Sequence, residues 1–374
     1  MRAFVFTDKA LARYAGQFVW LAVDTENSVN AGFLEQYPIN VWPTLLVINP
    51  KNEQIALRYA GGATVPQLEK LLRDGDRAVH GAQSKADVAL ERGDRLANEG
   101  KQAEAAKAYA ESIAAAPKHW SRIGRASESL TFALMESRDP QQCADEALRL
   151  YPRVRGTFSA ANVSAYGLAC AIDLPQHGAT FETLEKAARE TLDDAKIPLS
   201  ADDRSGLYET LFGARQAVKD EAGAHKIGEE WAAYLEREAK NARTPEQRAV
   251  FDSHRLEVYL DLNEPQRAVP MLQQSERDFP NDYNPPARLG LAYREMGKYD
   301  LAIDAYDRAL VRAYGPRKIT IYRGKADTYV KKGDKEAARR TIEEAIKYAE
   351  SLPPEQHGPA IVASLKKKLK GSGL

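Results

Sequence analysis

Cysteine is scarce. The 374-residue chain has two, Cys143 and Cys170, and none before position 143. So few thiols make no disulfide framework, and both are expected to be buried small apolar residues in helical sequence. Histidine is scarce too. His80, His119, His177, His225, His254 and His357 are scattered without a pair at metal-ligand spacing, so no metal site is expected. Net charge is absent, with 53 basic and 53 acidic residues, so no global field recruits nucleic acid. No apolar run approaches the ~20 residues that span a bilayer. Met1-Arg2-Ala3-Phe4-Val5-Phe6 runs into Thr7-Asp8-Lys9 without the pattern of a secretory signal. As written, the chain reads as cytoplasmic; upstream residues carrying a signal would place it in the periplasm. There is no Gly-x-Ser-x-Gly elbow, no Ser, His and acid set suggesting a triad, and no phosphate-cradling fingerprint at Gly61-Gly62. No catalytic residue and no cofactor is expected.

What is present divides at about residue 75. Phe18-Val19-Trp20-Leu21-Ala22-Val23-Asp24 is rich in β-branched and aromatic residues and predicts a strand. Asn27 to Tyr37 predicts a short helix, with Ala31, Phe33, Leu34 and Tyr37 at helical spacing, stopped by Pro38. Thr44 to Ile48 predicts a second strand, Asn49 to Asn52 a turn and Gln54 to Tyr59 the returning strand. Thr64 is placed to cap a last helix carrying Leu68, Leu71 and Leu72.

The step Val41-Trp42-Pro43-Thr44 before an apolar strand resembles the cis-proline loop of the thioredoxin superfamily. Met1, Val5, Phe6 and Asp8, with Asp24 closing the first predicted strand, fit the spacing of that family downstream of its Cys-x-x-Cys. The resemblance implies an α/β domain over residues 1–75 that starts at its first helix, without the central strand and the redox pair. It also implies that Trp42, Pro43 and Thr44 bind an extended peptide; alternatively Trp42 packs against the first helix. Two accounts of the missing strand stay open. Residues upstream of Met1 supply it, or the gap is filled by the helical half or by Arg2–Phe6 as a strand. Left unpaired, each buried backbone group would cost about 1–3 kcal/mol.

From about Arg77 the strand signals give way to repeated helix–turn–helix signals. In 289–310, small residues stand at Gly290, Ala302 and Ala309, aromatics at Tyr293 and Tyr306, and a turn at Gly297. Ala268 precedes Ala302 by 34 residues, and Gly333 follows Gly297 by 36. Leu256, Tyr259, Leu272 and Pro280 lie in register before this unit, and Ala326, Tyr329, Ala338, Ile342 and Ala345 after it. Gly93, Leu96, Gly100, Ala105, Tyr109 and Pro117 make an earlier unit. This pattern closely resembles tetratricopeptide repeats, with units at 86–119, 249–282, 283–316 and 319–352 in a solenoid over 76–374. Between them, 121–137, 140–150, 159–172, 181–195, 202–218 and 222–241 predict further helices, read as divergent repeats. An apolar stripe of Ile361, Val362, Leu365 and Leu369 predicts a cap helix over 359–370. Its lysines, Lys366-Lys367-Lys368, are read as a solvated face.

The expected fold is therefore mostly α, an incomplete thioredoxin-like α/β domain followed by an all-α solenoid of helical hairpins. Repeats of this family expose a groove that receives protein or peptide partners. Arg288, Arg294 and Arg323 are the groove candidates for an acidic ligand, or else bridges between adjacent hairpins. The reading is a non-catalytic binding or scaffold protein. The alternative is a thiol–disulfide oxidoreductase whose Cys-x-x-Cys lies upstream of Met1.

Overall fold

The computed structural model describes residues 1, 3–81, 84–353, 356 and 359–371. Its elements begin with a 3-10 turn Lys9–Tyr14, helix α1 (Ala31–Gln36), strands β1 (Thr44–Ile48) and β2 (Ile55–Ala60), and helix α2 (Val65–His80). Helices α3 (Lys85–Asn98), α4 (Gln102–Ala114), α5 (Ile123–Glu136), α6 (Pro140–Val154), α7 (Ser159–Ile172), α8 (Ala179–Asp193), α9 (Ala201–Ala217) and α10 (Glu221–Asn241) follow. Then come α11 (Pro245–Ala249), α12 (Asp252–Asp261), α13 (Ala268–Asp278), α14 (Asn284–Glu295), α15 (Tyr299–Arg312), α16 (Arg317–Lys332), α17 (Lys335–Ser351) and α18 (Pro359–Gly371). Contacts divide the chain into two compact units. The first holds Met1–Phe18 and Ile39–Trp231, the second Val19–Pro38 and Ala232–Leu374.

In the first unit, each helix from α3 to α9 packs on its neighbour in sequence, and α5, α7 and α9 also touch one another in series. That nearest-neighbour order defines a stack of helical hairpins. The small residues explain the close approach. A Cβ on Gly93 would lie 2.5 Å from the Tyr109 ring, so α3 and α4 meet there only because the side chain is missing. Cys143 and Cys170, expected as separate thiols, are instead bonded to each other across α6 and α7. Both are buried as expected. They stand 27 residues apart on facing sides of one helix contact, which no spacing rule identifies.

The β-hairpin packs into this unit. Thr44 pairs with Ala60, Leu45 with Tyr59 and Leu46 with Arg58, antiparallel. Thr64 caps α2, exchanging hydrogen bonds with Gln67. Leu57, Tyr59, Leu68, Leu71 and Leu72 close a small core with Val5 and Tyr14.

The thioredoxin-like sheet is not formed. Among the described residues the only sheet is this two-stranded hairpin. Phe18–Asp24 is no strand. Among the described residues it joins no sheet, and Val19 and Leu21 lie 89% and 73% exposed. Residues 3–7 form turns, so a strand over Arg2–Phe6 is not formed, Arg2 itself lying outside the described residues. On β2, the Arg58 amide donates to the Asp94 carboxylate of α3 at 3.1 Å, so a helix side chain serves that edge. The Trp42–Pro43 peptide is cis, as the loop's resemblance implies.

In the second unit, α12 touches α14, α14 touches α16, and α17 packs on α18. Tyr306 of α15 fills the space beside Gly290 of α14 and Gly324 of α16, where a Cβ would lie 2.7 and 3.0 Å from its ring. The cap helix forms as expected, Leu365 seated on Ile342, Ala345 and Ala349.

One turn serves both units. In six hairpins a residue at positive φ ends the first helix: Gly100, Arg138, Lys219, Asn263, Gly297 and Gly333. In each, the next amide bonds the carbonyl five residues back, as Lys101 does to Leu96, Asp139 to Leu134 and Lys298 to Tyr293. This is the Schellman closure, which satisfies carbonyls at the helix end.

Candidate peptide-binding site

In the second unit the starts of α14 and α16 and the approach to α18 surround a segment of the chain itself, Asp24-Thr25-Glu26. The Tyr283 hydroxyl donates to both carboxylate oxygens of Glu26, each at 2.8 Å. The Tyr314 hydroxyl donates to the Asp24 carboxylate at 2.7 Å. Arg317 pairs with Glu26 at 3.4 Å, and the Gln356 amide donates to the Thr25 carbonyl at 3.3 Å. Gly315 is at φ +59°, and a Cβ there would collide with the Glu26 carbonyl. Only glycine lets the two backbones come this close. The segment is shaped from within, since the Glu26 amide bonds the Asp24 carboxylate at 3.0 Å and Asn30 Nδ2 bonds the Asp24 carbonyl at 2.8 Å.

The electrostatics fit acceptance of carboxylates. Donation to Asp24, with some burial, pushes the Tyr314 phenol up to about 12. Burial and the bonded Glu26 raise Tyr283 further. Both phenols therefore stay protonated donors across the neutral range. Burial lowers Arg288, against the pull of Asp252 and Asp282.

The groove arginines do not make one clamp. Arg288 and Arg294 lie six residues apart on α14, so they leave the helix about 120° apart and about 9 Å along it. Arg288 lies near Tyr283 and Arg317, at the site just described. Arg294 pairs with Glu295 at 2.7 Å, and Glu295 also receives Lys331 of α16 at 2.8 Å. Arg323 is exposed on α16. In the first unit, Trp42 is 57% exposed. The Pro43 carbonyl accepts from the Gly61 amide at 2.8 Å, and Thr44 Oγ1 donates to the Val41 carbonyl at 2.7 Å. Those backbone and hydroxyl groups are therefore occupied within the chain.

Sequence reasoning missed Tyr283, Tyr314 and Arg317 because they stand at hairpin ends, where no periodicity marks them. It also missed the buried charges of the first unit. Asp94, fully buried, accepts from Arg125 at 2.6 Å, from the Tyr109 hydroxyl at 3.0 Å and from the Arg58 amide. Arg122 joins Asp74 and Asp87 at 3.3 and 2.5 Å. Glu128 accepts from Asn162 at 2.9 Å and faces a small cavity with Arg58, Tyr59, Gln102 and Tyr166. Burial raises Glu128, and it raises Asp203 to about 7, with Glu128 adding to the rise. A signal existed for Asp94, which stands in the apolar stripe of Ala86, Leu90 and Ala97. Among the described residues no cluster of His, Cys, Asp and Glu could hold a metal ion, and no helix is long and apolar enough to cross a membrane.

Comparison with known proteins agrees with part of this. No curated protein matches the chain. Among solved structures, the chain is similar to one from the crystal structure of the APC/C hetero-tetramer Cut9-Hcn1. Identity is 13%, over 82% of this chain and 76% of that one, with a TM-score of 0.22. The family model for the tetratricopeptide repeat matches residues 283–351, which span α14 to α17. There Tyr306 meets Gly290 and Gly324 and two hairpins close through Gly297 and Gly333. Residues 283–351 are tetratricopeptide repeats.

Proposed function

We propose that the chain is a non-catalytic scaffold that binds an acidic segment of a partner protein through the repeats of its second unit. One observation carries this reading. The repeats already hold an acidic turn, Asp24–Glu26, through side chains at the starts of their first helices. Arg288 lies beside that segment's partners, and Arg323 adds exposed positive charge on the same repeat as Arg317. The Trp42-Pro43-Thr44 loop is a second peptide contact in this reading, through the exposed Trp42 ring. The bonded Cys143 and Cys170 favour an oxidising compartment over the cytoplasm. They also leave both sulfurs buried and joined, which gives the oxidoreductase alternative no thiol in this chain.

The test is affinity capture with the full chain from its source cells, then calorimetry with the purified partner. Arg288→Glu with Arg323→Glu should weaken that partner at least tenfold, because two cations become two anions facing an acidic ligand. Unchanged affinity would remove the arginine groove from the account.

A further inference from the structure

The site around Asp24–Glu26 reads four features of its occupant. Tyr283 and Arg317 take one carboxylate, and Tyr314 takes a second two residues earlier. Gln356 takes the carbonyl between them, and Gly315 leaves room for the backbone. Backbone and side chains are thus recognised together on a turn, which the Asn27 amide closes on the Asp24 carbonyl at 3.3 Å. We propose that this is a docking site for a partner's acidic peptide of pattern Asp-x-Glu, and that Asp24-Thr25-Glu26 is an internal ligand which the partner displaces. The inference rests on the protein-binding reading above and names the chemistry of one site within it.

Three observations support displacement. First, the internal segment is held mainly by polar bonds. Val19, Leu21 and Val29 are 89%, 73% and 79% exposed, and 19–24 has no regular structure. Segments with so little apolar burial open at small cost. Second, the occupant fits incompletely. Gln356 is 5% exposed, and its Oε1 has no hydrogen-bond partner among the described residues. A buried acceptor in that state favours an occupant that brings one more N–H. Third, Arg288 makes no hydrogen bond or ion pair among the described residues, although Asp252, Asp282 and Tyr283 all act on its charge. A more acidic peptide would engage it.

The tether sets the expected size of the effect. A covalently attached segment competes at an effective concentration on the order of millimolar. A free peptide should therefore bind weakly until the internal carboxylates are removed. The probe is a fluorescent peptide with the sequence of residues 20–30, titrated by anisotropy against two full chains. The Asp24→Ala/Glu26→Ala variant, with every site residue intact, should bind it at least tenfold more tightly than the unaltered chain. Adding Tyr283→Phe and Arg317→Ala to that variant should lose at least tenfold. A probe with both acids replaced by alanine should not bind. Equal affinity for the two chains, or no binding to the variant, overturns the proposal.

Should the variant not fold, hydrogen exchange of the unaltered chain replaces it. Excess peptide must then speed exchange in 19–30, and unchanged exchange overturns the proposal. A partner that binds normally, weakened by Arg323→Glu alone while the probe fails, would remove this site and leave the broader reading standing.

Discussion

Gly93 against Tyr109 in the first unit and Gly290 against Tyr306 in the second solve one packing problem in the same way. Their charges are arranged differently. The first unit buries Asp94 with Arg125, Arg122 with Asp74 and Asp87, and among the described residues leaves Glu128 and Asp203 with no ion pair. In the second, Glu276 joins Arg308 and Arg312 at a partly exposed edge, and Lys331 and Lys332 reach Glu295 and Asp300 at the surface. The difference teaches what each unit is built to tolerate. Buried pairs demand their partners, whereas pairs at the rim are screened and replaceable. A surface that exchanges ligands belongs with the second kind.

The sharpest way to break this comparison is to remove one arginine from each unit. Arg125→Ala leaves the Asp94 carboxylate buried without its cation and should cost about 3–5 kcal/mol, read as loss of the first unit's unfolding transition in urea. Arg308→Ala leaves Glu276 its second partner, Arg312, and should cost under about 1 kcal/mol. Similar losses from the two substitutions would erase the distinction.

A smaller effect concerns pH. The Asp203 carboxyl is raised to about 7 in the folded chain, mainly by burial. The folded state therefore holds a proton that the unfolded chain has already released above about pH 4. Stability must then fall as pH rises from about 4 to about 7, with an upper limit of about 4 kcal/mol from this group. Asp203→Asn should flatten the dependence of the first unit's melting temperature over that range. A slope unchanged by the substitution would refute the buried-acid account.

The smallest effect tests what the units share. Arg138 and Lys219 occupy the left-handed turn position that Gly100, Gly297 and Gly333 hold elsewhere. Arg138→Gly should stabilise by up to about 1 kcal/mol, and Gly297→Ala should destabilise by about the same. Thermal melts of the two variants moving in the same direction would show that the turns are not equivalent.

These turns also explain what was hard to read. The hairpins α3–α4, α14–α15 and α16–α17 were legible because glycine marks their turns and small residues face aromatics. In the stretch before α12 the same closure is made by Arg138 and Lys219. The helices were still visible from their apolar spacing, but the repeat period was not. Around Asp24–Glu26, Arg288 was the one side chain singled out from the sequence, whereas Tyr283, Tyr314 and Gln356 carried no pattern at all.

By itself the sequence determined the helical hairpins, their caps and turns, the β1–β2 hairpin and the cap helix. Each depends on residues within a few positions of one another, through periodicity, side-chain caps and conformational freedom. Tertiary structure alone decided three things: that Phe18–Asp24 forms no strand, that Cys143 meets Cys170, and that Asp24–Glu26 lies against Tyr283 and Tyr314. In each case the deciding partner stands across a helix contact, or hundreds of residues away, or is missing. A local pattern records what a segment prefers, and the partner it meets is set by packing.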